Sequence, residues 1–414
     1  MPARFDAAIV GAGPAGAAAA ILLARAGWTV ALVERQRYPR RKVCGECIAA
    51  TNLPLLDALG IGDAVHALAG AELRRVALLR GARSVVASLP AAEAGPHRFG
   101  RALGREHLDT LLVAQARAYG ATVRQPVALD CLEGRPGRYR LHVRGTGEGG
   151  EGGELEAAVV IAAHGSWEPL PSEREGRRAM RRPSDLFAFK ANFRDARLDA
   201  DLLPVLSFPG GYGGMVIADA GLATLACCVR EDRLDEERSA AGARRAGDAV
   251  EAMLRRECGG VAEALAPAVR EGPWLSTGPI RPGIRLGAGD GVFRIGNAAG
   301  EAHPIVGEGI SMALQSAFLL ASVLTPHRRA LVADASASTI QAHALDDYEA
   351  RWRIRFAPRL RVAAAFAHAA MRPWAAAALW PLVRRWPAVL ASGARWSGKT
   401  RCVPEAARLV EASR

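Results

Sequence analysis

The sequence of 414 residues is poor in lysine: only Lys42, Lys190 and Lys399 occur, although the formal net charge is +12. Almost all of the positive charge is therefore carried by arginine, in a chain that is also crowded with alanine and glycine. The arginines are scattered, and no basic run with interleaved aromatic residues marks a nucleic-acid-binding face. We therefore expect no nucleic-acid partner.

Cysteine and long apolar runs are also scarce. The seven cysteines are spread along the chain without a disulfide-like framework, and Cys44 and Cys47 have no second pair or nearby histidines to complete a metal site. No uninterrupted apolar stretch reaches the ~20 residues of a membrane-spanning helix. The first strand begins close to the N-terminus and leaves no room for a signal peptide. We expect no metal and a cytoplasmic protein, at most peripheral to the inner face of the membrane.

Glycine is abundant, and the first glycine cluster lies between a predicted strand and a predicted helix. Residues 5–10 predict a strand, residues 11–16 read GAGPAG, and a second strand at residues 29–33 is followed by Glu34. In this dinucleotide fingerprint the glycines allow a tight turn, backbone approach to a pyrophosphate and close packing of helix on strand, while the acidic residue binds a ribose diol. The helix N-terminus favours phosphate. The predicted nucleotide contacts are Gly11, Gly13, Pro14, Ala15, Gly16, Glu34 and Arg35.

A second glycine cluster follows much later in the chain, at residues 296–309. A short strand leads into this loop, which contains His303 and Pro304, and a helix is predicted to start near Gly307. Such a helix start presents free backbone N–H groups and the positive end of the helix dipole. It would favour negative charge on a bound cofactor.

Together with two further motifs, these clusters resemble those of the FAD-dependent oxidoreductases of the p-hydroxybenzoate hydroxylase type, and within them the geranylgeranyl-reductase-like branch. The sequence KVCGE at residues 42–46 is similar to the branch's loop beside the flavin ring, and Arg105 begins a helix like the one whose arginine approaches the FAD phosphates. The resemblance covers most of residues 5–320 and implies FAD as cofactor and NAD(P)H as electron donor. The further FAD contacts that it implies are Lys42, Cys44, Gly45, Arg105, Val127, His164, Gly165, Gly296, Asn297, Gly307, Gly309 and Ile310.

Three positions depart from the patterns of these families. Asn297 stands where an Asp normally binds the ribityl and pyrophosphate region, and it keeps an acceptor oxygen. His164 stands where the hydroxylases carry the Asp that links FAD to NAD(P)H, so a separate flavin reductase or electron donor is an alternative partner. Tyr212 begins a stretch without the Trp and Pro of the reductase branch. The Trp-x-Trp-x-Ile-Pro motif of related halogenases, with its nearby lysine, does not stand out either.

The resemblance implies a monooxygenase that hydroxylates or epoxidises an apolar or aromatic small molecule through a flavin hydroperoxide. The leading alternative is an ene-reductase that saturates C=C bonds of an isoprenoid or polyene, and a flavin-dependent halogenase ranks third. A flavin electron carrier is the non-enzymatic alternative. In each reaction the cofactor performs the hard step, so few side chains need to act directly.

Cys44 and His303 are the candidate catalytic residues. Cys44 could pass electrons to the flavin as a dithiol with Cys47, although packing against the ring is the plainer role. His303, at the expected flavin edge, is a candidate proton donor or a structural residue. Lys190 lies in a strand pattern that leaves pocket and surface equally open. The candidate walls of an apolar substrate pocket are Phe189, Phe208, Tyr212, Met215, Trp274 and Pro304.

The predicted fold class is α/β, with a GR2-type Rossmann-like FAD domain, an inserted, mostly antiparallel β-sheet substrate domain and a helical C-terminal region. The FAD domain comprises residues 1–168, with 72–98 contributing to the substrate side, and residues 281–344. The substrate domain comprises residues 169–280. The C-terminal region, residues 345–414, holds Trp374, Trp380 and Trp386 among arginines. It either packs over the substrate domain or presents an amphipathic face to an anionic membrane or a substrate entrance.

Overall fold

The computed structural model describes residues 3–93, 95–166, 170, 181–241, 245–333, 337–396, 400 and 402–412. Its strands are β1 (Ala3–Val10), β2 (Val30–Val33), β3 (Cys47–Ile48), β4 (Arg75–Arg80), β5 (Arg83–Ser88), β6 (Arg101–Ala102), β7 (Thr122–Arg124), β8 (Val127–Arg135), β9 (Arg138–Gly145), β10 (Gly153–Ala162), β11 (Leu186–Arg194), β12 (Leu202–Phe208), β13 (Gly211–Ile217), β14 (Ala223–Arg230), β15 (Val269–Ile280), β16 (Gly283–Ile284), β17 (Phe293–Arg294) and β18 (Gly300–Glu301).

The helices alternate with these strands in the first half of the chain and dominate its end. They are α1 (Pro14–Arg25), α2 (Leu53–Ala58), α3 (Gly62–Leu68), α4 (Arg105–Ala118), α5 (Glu231–Ala241), α6 (Ala246–Glu257), α7 (Gly259–Leu265), α8 (Gly309–Leu324), α9 (Arg328–Val332), α10 (Ala337–Met371), α11 (Pro373–Arg385), α12 (Ala388–Trp396) and α13 (Pro404–Ala412).

The first sheet is the nucleotide-binding sheet that the sequence predicts. Its order is β7-β2-β1-β10-β9-β8, with β17 pairing alongside β10. The central strands are parallel, whereas β8 and β9 form an antiparallel hairpin at one edge. Because β17 pairs with β10, the sheet is completed by residues that follow the second sheet in the chain. The predicted α/β fold class is confirmed.

Helix α1 follows directly from its sequence. Pro14 occupies the first turn, where its missing N–H costs nothing and its fixed φ suits a helix. The alanine run then allows the helix to lie close to the sheet, with its alanines almost completely buried. The helix stops before Gly27, whose φ of +82° lies in the left-handed region that favours glycine.

The second sheet has the order β15-β11-β14-β13-β12-β4-β5. Its neighbours are antiparallel except β12 and β4, which are parallel. One face packs against α6 and α7 through a core that includes Val250, Met253 and Val261. The other face is turned towards the first domain. The boundary predicted between residues 168 and 169 lies outside the described residues.

The segment Gly309–Val332, which contains α8, is long and apolar enough to cross a membrane by length and composition. However, 78% of its apolar window is buried inside the protein, where α8 packs on α1 and α10. We therefore describe it as a core helix.

The last helices join the two sheets. Along α10, Tyr348, Trp352 and Phe356 recur at four-residue spacing and are completely buried against the core of the first domain. Farther along, Ala367 and Met371 of the same helix pack on the second sheet. Helix α11 then lies against β5, where Trp380 and Val85 share a small apolar cluster.

Candidate active site

The first glycine loop is held by contacts that leave no room for side chains. Gly11 has a φ of +104°, and a Cβ there would lie 2.5 Å from the carbonyl oxygen of Ala163. A Cβ on Gly16 would lie 1.9 Å from the carbonyl oxygen of Gly11. Both glycines therefore shape the loop from behind, while Gly13, Pro14 and Ala15, at the start of α1, line a cavity.

Glu34, directly after β2, holds this loop in place through hydrogen bonds. Its Oε2 accepts a hydrogen bond of 2.8 Å from the backbone N–H of Ala12, and its Oε1 accepts one of 2.9 Å from that of Gln36. The carboxylate is buried, and Oη of Tyr38 and Nη2 of Arg40 lie 3.4 Å from its Oε2 and Oε1, respectively. Glu34 thus lies directly after β2, as the acidic residue of the fingerprint does.

Three cationic side chains lie close together beside the loop: Arg105, Lys42 and Arg40. The Arg105 guanidinium forms two hydrogen bonds of 2.7 Å to Asp109, and this carboxylate keeps the pKa of Arg105 raised although burial acts to lower it. Burial lowers the pKa of Lys42, and the charges of Arg105 and Arg40 lower it further. A bound anion would relieve this accumulation of positive charge.

These residues fit FAD. The N-terminus of α1, Arg105 and Lys42 surround the place where a pyrophosphate would be neutralised. A Cβ on Gly45 or Gly309 would meet nothing within 4 Å, so the backbone at both positions can lie against a flat ring. Helix α8 begins at Gly309 and directs the positive end of its dipole to the same cavity.

Asn297 belongs to a polar network on the cavity wall. Its Nδ2 donates a hydrogen bond of 2.9 Å to Oγ of Ser166, and that hydroxyl donates one of 2.6 Å to Oε1 of Glu301. The other oxygen of Glu301 is paired with Arg285 at 2.8 Å. A carboxylate is therefore present here although the motif has Asn in place of Asp; it comes from the residue four positions later.

The cavity has a volume of about 510 Å³ and lies between the two sheets. Side chains from the second sheet form one wall, and α11 and α12 line another part of the cavity with Leu379, Trp380, Val383 and Leu390. The residues predicted for FAD or substrate that line it are Gly13, Pro14, Ala15, Lys42, Cys44, Gly45, Arg105, Gly165, Phe189, Tyr212, Met215, Gly296, Asn297, Pro304, Gly307, Gly309 and Ile310.

Tyr212 is the centre of an uncharged polar cluster on the substrate side. Its hydroxyl lies 3.1 Å from Nδ1 of His303 and also hydrogen bonds with the thiol of Cys228. Burial raises the pKa of Tyr212 well above 10 and that of Cys228 to about 12. Burial, and then His368, lower the pKa of His303 to about 4. At neutral pH all three groups are uncharged, and Tyr212 and Cys228 line the cavity.

Glu46 and Lys190 connect the flavin-side loop to the second sheet. Lys190 lies on β11 and forms a buried ion pair with Glu46. It is therefore neither exposed at the surface nor part of the cavity wall, which are the two predicted positions. Glu46 also accepts hydrogen bonds from the Arg105 backbone N–H at 3.1 Å and from Thr224 at 2.5 Å. Its φ of +58° is unusual for a residue with a side chain.

Two predicted pocket residues require correction. Phe208 and Trp274 pack on the face of the second sheet that is turned towards α6 and α7. Phe189 and Met215 border the cavity but also belong to this apolar cluster. The indole N–H of Trp274 donates a hydrogen bond of 3.1 Å to Glu251 on α6. Alternation along a strand tells which side chains share a face, but not which face adjoins the cofactor.

Several predicted FAD contacts and one catalytic candidate lie outside the cavity lining. Val127 is buried in the core at the start of β8, and its backbone N–H donates to the carbonyl of Glu34. Arg35 is exposed. His303 stands behind Tyr212 instead of on the wall. The structure also places Gly11, Gly16, Glu34 and His164 behind the wall.

Sequence reasoning missed Glu46 as an anchor, Glu301 as the carboxylate beside Asn297, and Cys228. Glu301 lies within the second glycine motif and Glu46 ends the KVCGE motif, so both carried a local signal, whereas Cys228 carried none. Glu46 and Cys228 acquire their positions from partners distant in the chain.

Comparison with known proteins identifies the family of this chain. A family model described as FAD binding domain matches residues 4–341. The chain is 30% identical over 171 residues to the 6-methylpretetramide 4-monooxygenase of Streptomyces rimosus, covering 40% of this chain and 39% of that enzyme. It is 28% identical over 379 residues to the digeranylgeranylglycerophospholipid reductase 2 of Methanopyrus kandleri, covering 87% and 85%. The matched region spans less than half the length of the first curated relatives.

Solved structures share the fold. The myxobacterial chondrochloren halogenase CndH superposes with a TM-score of 0.73 at 18% identity, covering 100% of this chain and 97% of that chain. A geranylgeranyl bacteriochlorophyll reductase-like protein from Thermoplasma acidophilum superposes with a TM-score of 0.67 at 16% identity, covering 100% and 96%. At these identities the likeness concerns the architecture alone.

Proposed function

This chain belongs to the FAD-binding-domain family and is an FAD-dependent oxidoreductase, and we propose that it is a monooxygenase acting on an apolar or aromatic small molecule, by hydroxylation or epoxidation. The cavity is the observation that carries the proposal. It begins at the loops that fit FAD and continues between apolar side chains of the second sheet and of α11 and α12. A molecule held there would lie next to the cofactor and away from water.

Bound FAD, once reduced, would supply the two electrons for the reaction, and O₂ would supply the oxygen atom transferred to the substrate, its second oxygen leaving as water. The protein's part is to bind the substrate, orient it and exclude water. Leu379, Trp380 and Leu390 would cover the apolar part of the substrate. Excluding water protects reactive species from side reactions.

Tyr212 is the residue best placed to orient the substrate. Its hydroxyl stays protonated, because burial raises its pKa, and Tyr212 lines the cavity. Nδ1 of the neutral His303 accepts a hydrogen bond from this hydroxyl in the tautomer that carries hydrogen on Nε2. The Tyr212 oxygen can therefore accept a hydrogen bond from a hydroxyl of the substrate without placing a charge in the apolar cavity.

We propose NAD(P)H as the electron source. His164 is buried behind the cavity wall, in the position where the family's hydroxylases carry an Asp. A separate flavin reductase or electron donor is therefore the alternative, and anaerobic mixing with NADPH and NADH distinguishes the two. Bleaching of the flavin absorbance supports direct reduction, and an unchanged spectrum supports a separate reductase.

Reduction of an isoprenoid C=C bond is the second candidate function. It is favoured by Cys44, which lines the cavity beside Gly45, and by the match along 87% of the chain to a prenyl-lipid reductase. Halogenation has less support from the site. Lys190 in the substrate-side sheet is bound to Glu46 in a buried ion pair instead of facing the cavity.

The test compares two substrates with and without oxygen. Purified protein carrying reduced FAD is incubated with a long-chain alkylphenol or with geranylgeraniol, in air and under nitrogen, and products are identified by mass spectrometry. A product heavier by one oxygen atom, formed only in air, is expected. A product heavier by two hydrogen atoms, formed equally well under nitrogen, would replace the proposal with the ene-reductase.

A further inference from the structure

The positive charge of the chain is concentrated near its end. Residues 350–404 contain ten arginines, Lys399 and no acidic residue, so this stretch carries +11 of the formal net charge of +12. The rest of the chain is almost balanced. A segment of this length without a carboxylate is unlike the remainder of the sequence, where acidic and basic side chains are interspersed.

Only the first part of the stretch is neutralised by the fold. Arg351, Arg353, Arg355 and Arg359, all on α10, pair with carboxylates. The later arginines are exposed, and no carboxylate of the described residues forms an ion pair with them: they are Arg372, Arg384, Arg385 and Arg395.

The same helices expose large apolar side chains. Trp374 at the start of α11 is 72% exposed, and Trp386 at its end is 56% exposed. The guanidinium of Arg385 lies 5.7 Å from the ring centre of Trp386. Trp380 and Val383, by contrast, are buried against β5. Helix α11 thus presents an inner apolar face to the protein and an outer face of tryptophan and arginine to its surroundings.

This outer face lies at one end of the cavity. Leu379 and Leu382 of α11 and Phe366 of α10 line the cavity and are at the same time exposed. The helices that carry the exposed tryptophans and arginines therefore also carry the apolar side chains through which the cavity reaches the surface, which we call the apolar passage.

We propose that the outer face of α11 and α12, which we call the basic aromatic face, binds the surface of an anionic membrane. Exposed tryptophans suit the boundary between headgroups and acyl chains, and unpaired arginines suit anionic headgroups. Charge complementarity and the apolar passage favour this occupant over a second copy of the chain, which would bring like charges together. Docking in this way turns the end of the cavity towards the lipid, so an apolar substrate can enter without crossing water.

The experiment uses the full-length protein with FAD bound. It is floated with vesicles of equal parts phosphatidylglycerol and phosphatidylcholine, and with vesicles of phosphatidylcholine alone. Two double variants are compared: Trp374→Ser with Trp386→Ser, and Arg384→Glu with Arg385→Glu. The matched controls are Val269→Ser, an exposed apolar residue on β15, and Arg117→Glu, an exposed arginine on α4. Retained FAD absorbance shows that each variant is folded.

Wild type and both controls should float with the phosphatidylglycerol vesicles, and the double variants should bind at least about tenfold more weakly. High salt should release the protein, since it screens exposed charges. Absence of flotation at low salt, or equal flotation of the double variants, overturns the proposal. The proposal is also overturned if the protein forms a concentration-dependent dimer that the tryptophan variants abolish, while neither wild type nor any variant binds the vesicles.

The docking proposal and the proposed function can fail separately. Conversion of a detergent-solubilised alkylphenol is measured on the same variants. Oxygen insertion without flotation contradicts the docking surface alone. Flotation without oxygen insertion contradicts the monooxygenase alone.

Discussion

Glu46 and Lys190 form an ion pair in which neither side chain is more than 1% exposed, although 144 residues separate them in the chain. The same carboxylate accepts hydrogen bonds from the first turn of α4 and from Thr224 on β14. One side chain thereby fixes the loop of residues 42–46, the helix that carries Arg105 and the second sheet to one another. The spacing between the flavin-side loop and the substrate-side wall depends on it.

Breaking this pair should be costly. Lys190→Met leaves the Glu46 carboxylate buried without its cation, and the expected loss in free energy of unfolding is about 3–5 kcal/mol. Urea denaturation followed by circular dichroism measures it. The double variant Lys190→Met with Glu46→Gln should recover much of the loss, because no uncompensated charge remains. A single variant as stable as wild type would contradict the role given to the pair.

Lys42 should affect FAD binding and stability in opposite directions. Burial lowers the pKa of its ammonium group, and no carboxylate of the described residues forms an ion pair with it. Lys42→Met should therefore weaken FAD binding by about tenfold or more, since a charge-assisted contact is lost, while the FAD-free protein becomes no less stable. Fluorescence titration with FAD and thermal unfolding measure the two effects. Arg117→Met, an exposed change on α4, should alter neither.

Tyr212→Phe should keep FAD bound and reduce turnover. The variant removes the hydroxyl between His303 and the cavity while preserving the ring, and we expect a decrease of about tenfold in kcat from the lost hydrogen bond. Tyr119→Phe, at an exposed position directly after α4, is the matched control. Steady-state kinetics measures kcat and KM with the substrate that is converted in the comparison of reactions in air and under nitrogen. Unchanged kcat and KM would remove Tyr212 from the orienting role.

The pKa of His303 predicts a pH dependence of stability. Burial, and then His368, lower this pKa from 6.5 to about 4. Between these values the unfolded chain binds more protons than the folded protein, so the free energy of unfolding decreases as the pH falls from 6.5 towards 4. His303→Asn lacks this titration and should lose less stability over that window. Urea denaturation at a series of pH values tests it, and parallel curves for the two proteins would contradict the assignment.

Cys44→Ser separates the two candidate reactions. If Cys44 and Cys47 passed electrons to the flavin, or if Cys44 relayed a proton in C=C reduction, the variant would lose turnover while keeping FAD. The monooxygenase proposal predicts instead that both FAD content and turnover remain close to wild type. Absorbance of the bound flavin and product formation under air are the two readouts.

The geometry of the first glycine loop could be predicted from the sequence because its determinants are local. Gly11 and Gly16 are required by backbone contacts within a few residues or by the adjacent strand, and Glu34 follows β2 at the expected position. Such requirements leave a recognisable spacing in the sequence. The fold class follows from the same periodic patterns.

The substrate side was less predictable because it depends on long-range packing. Whether Lys190 is exposed or buried depends on Glu46, and whether Trp274 lines the pocket depends on where α6 packs. Neither partner can be located from strand alternation. For the C-terminal region the sequence leaves packing over the substrate domain, a membrane-facing surface and a substrate entrance as alternatives, since an amphipathic helix does not specify the surface that it covers.

The most direct test of the central claim is the source of the oxygen atom in the product. The reduced holoenzyme is mixed with the alkylphenol in unlabelled water under oxygen-18 gas, and the product is analysed by mass spectrometry. The account predicts one oxygen-18 atom in each product molecule. A product that carries only unlabelled oxygen, or that gains hydrogen and no oxygen, would contradict it.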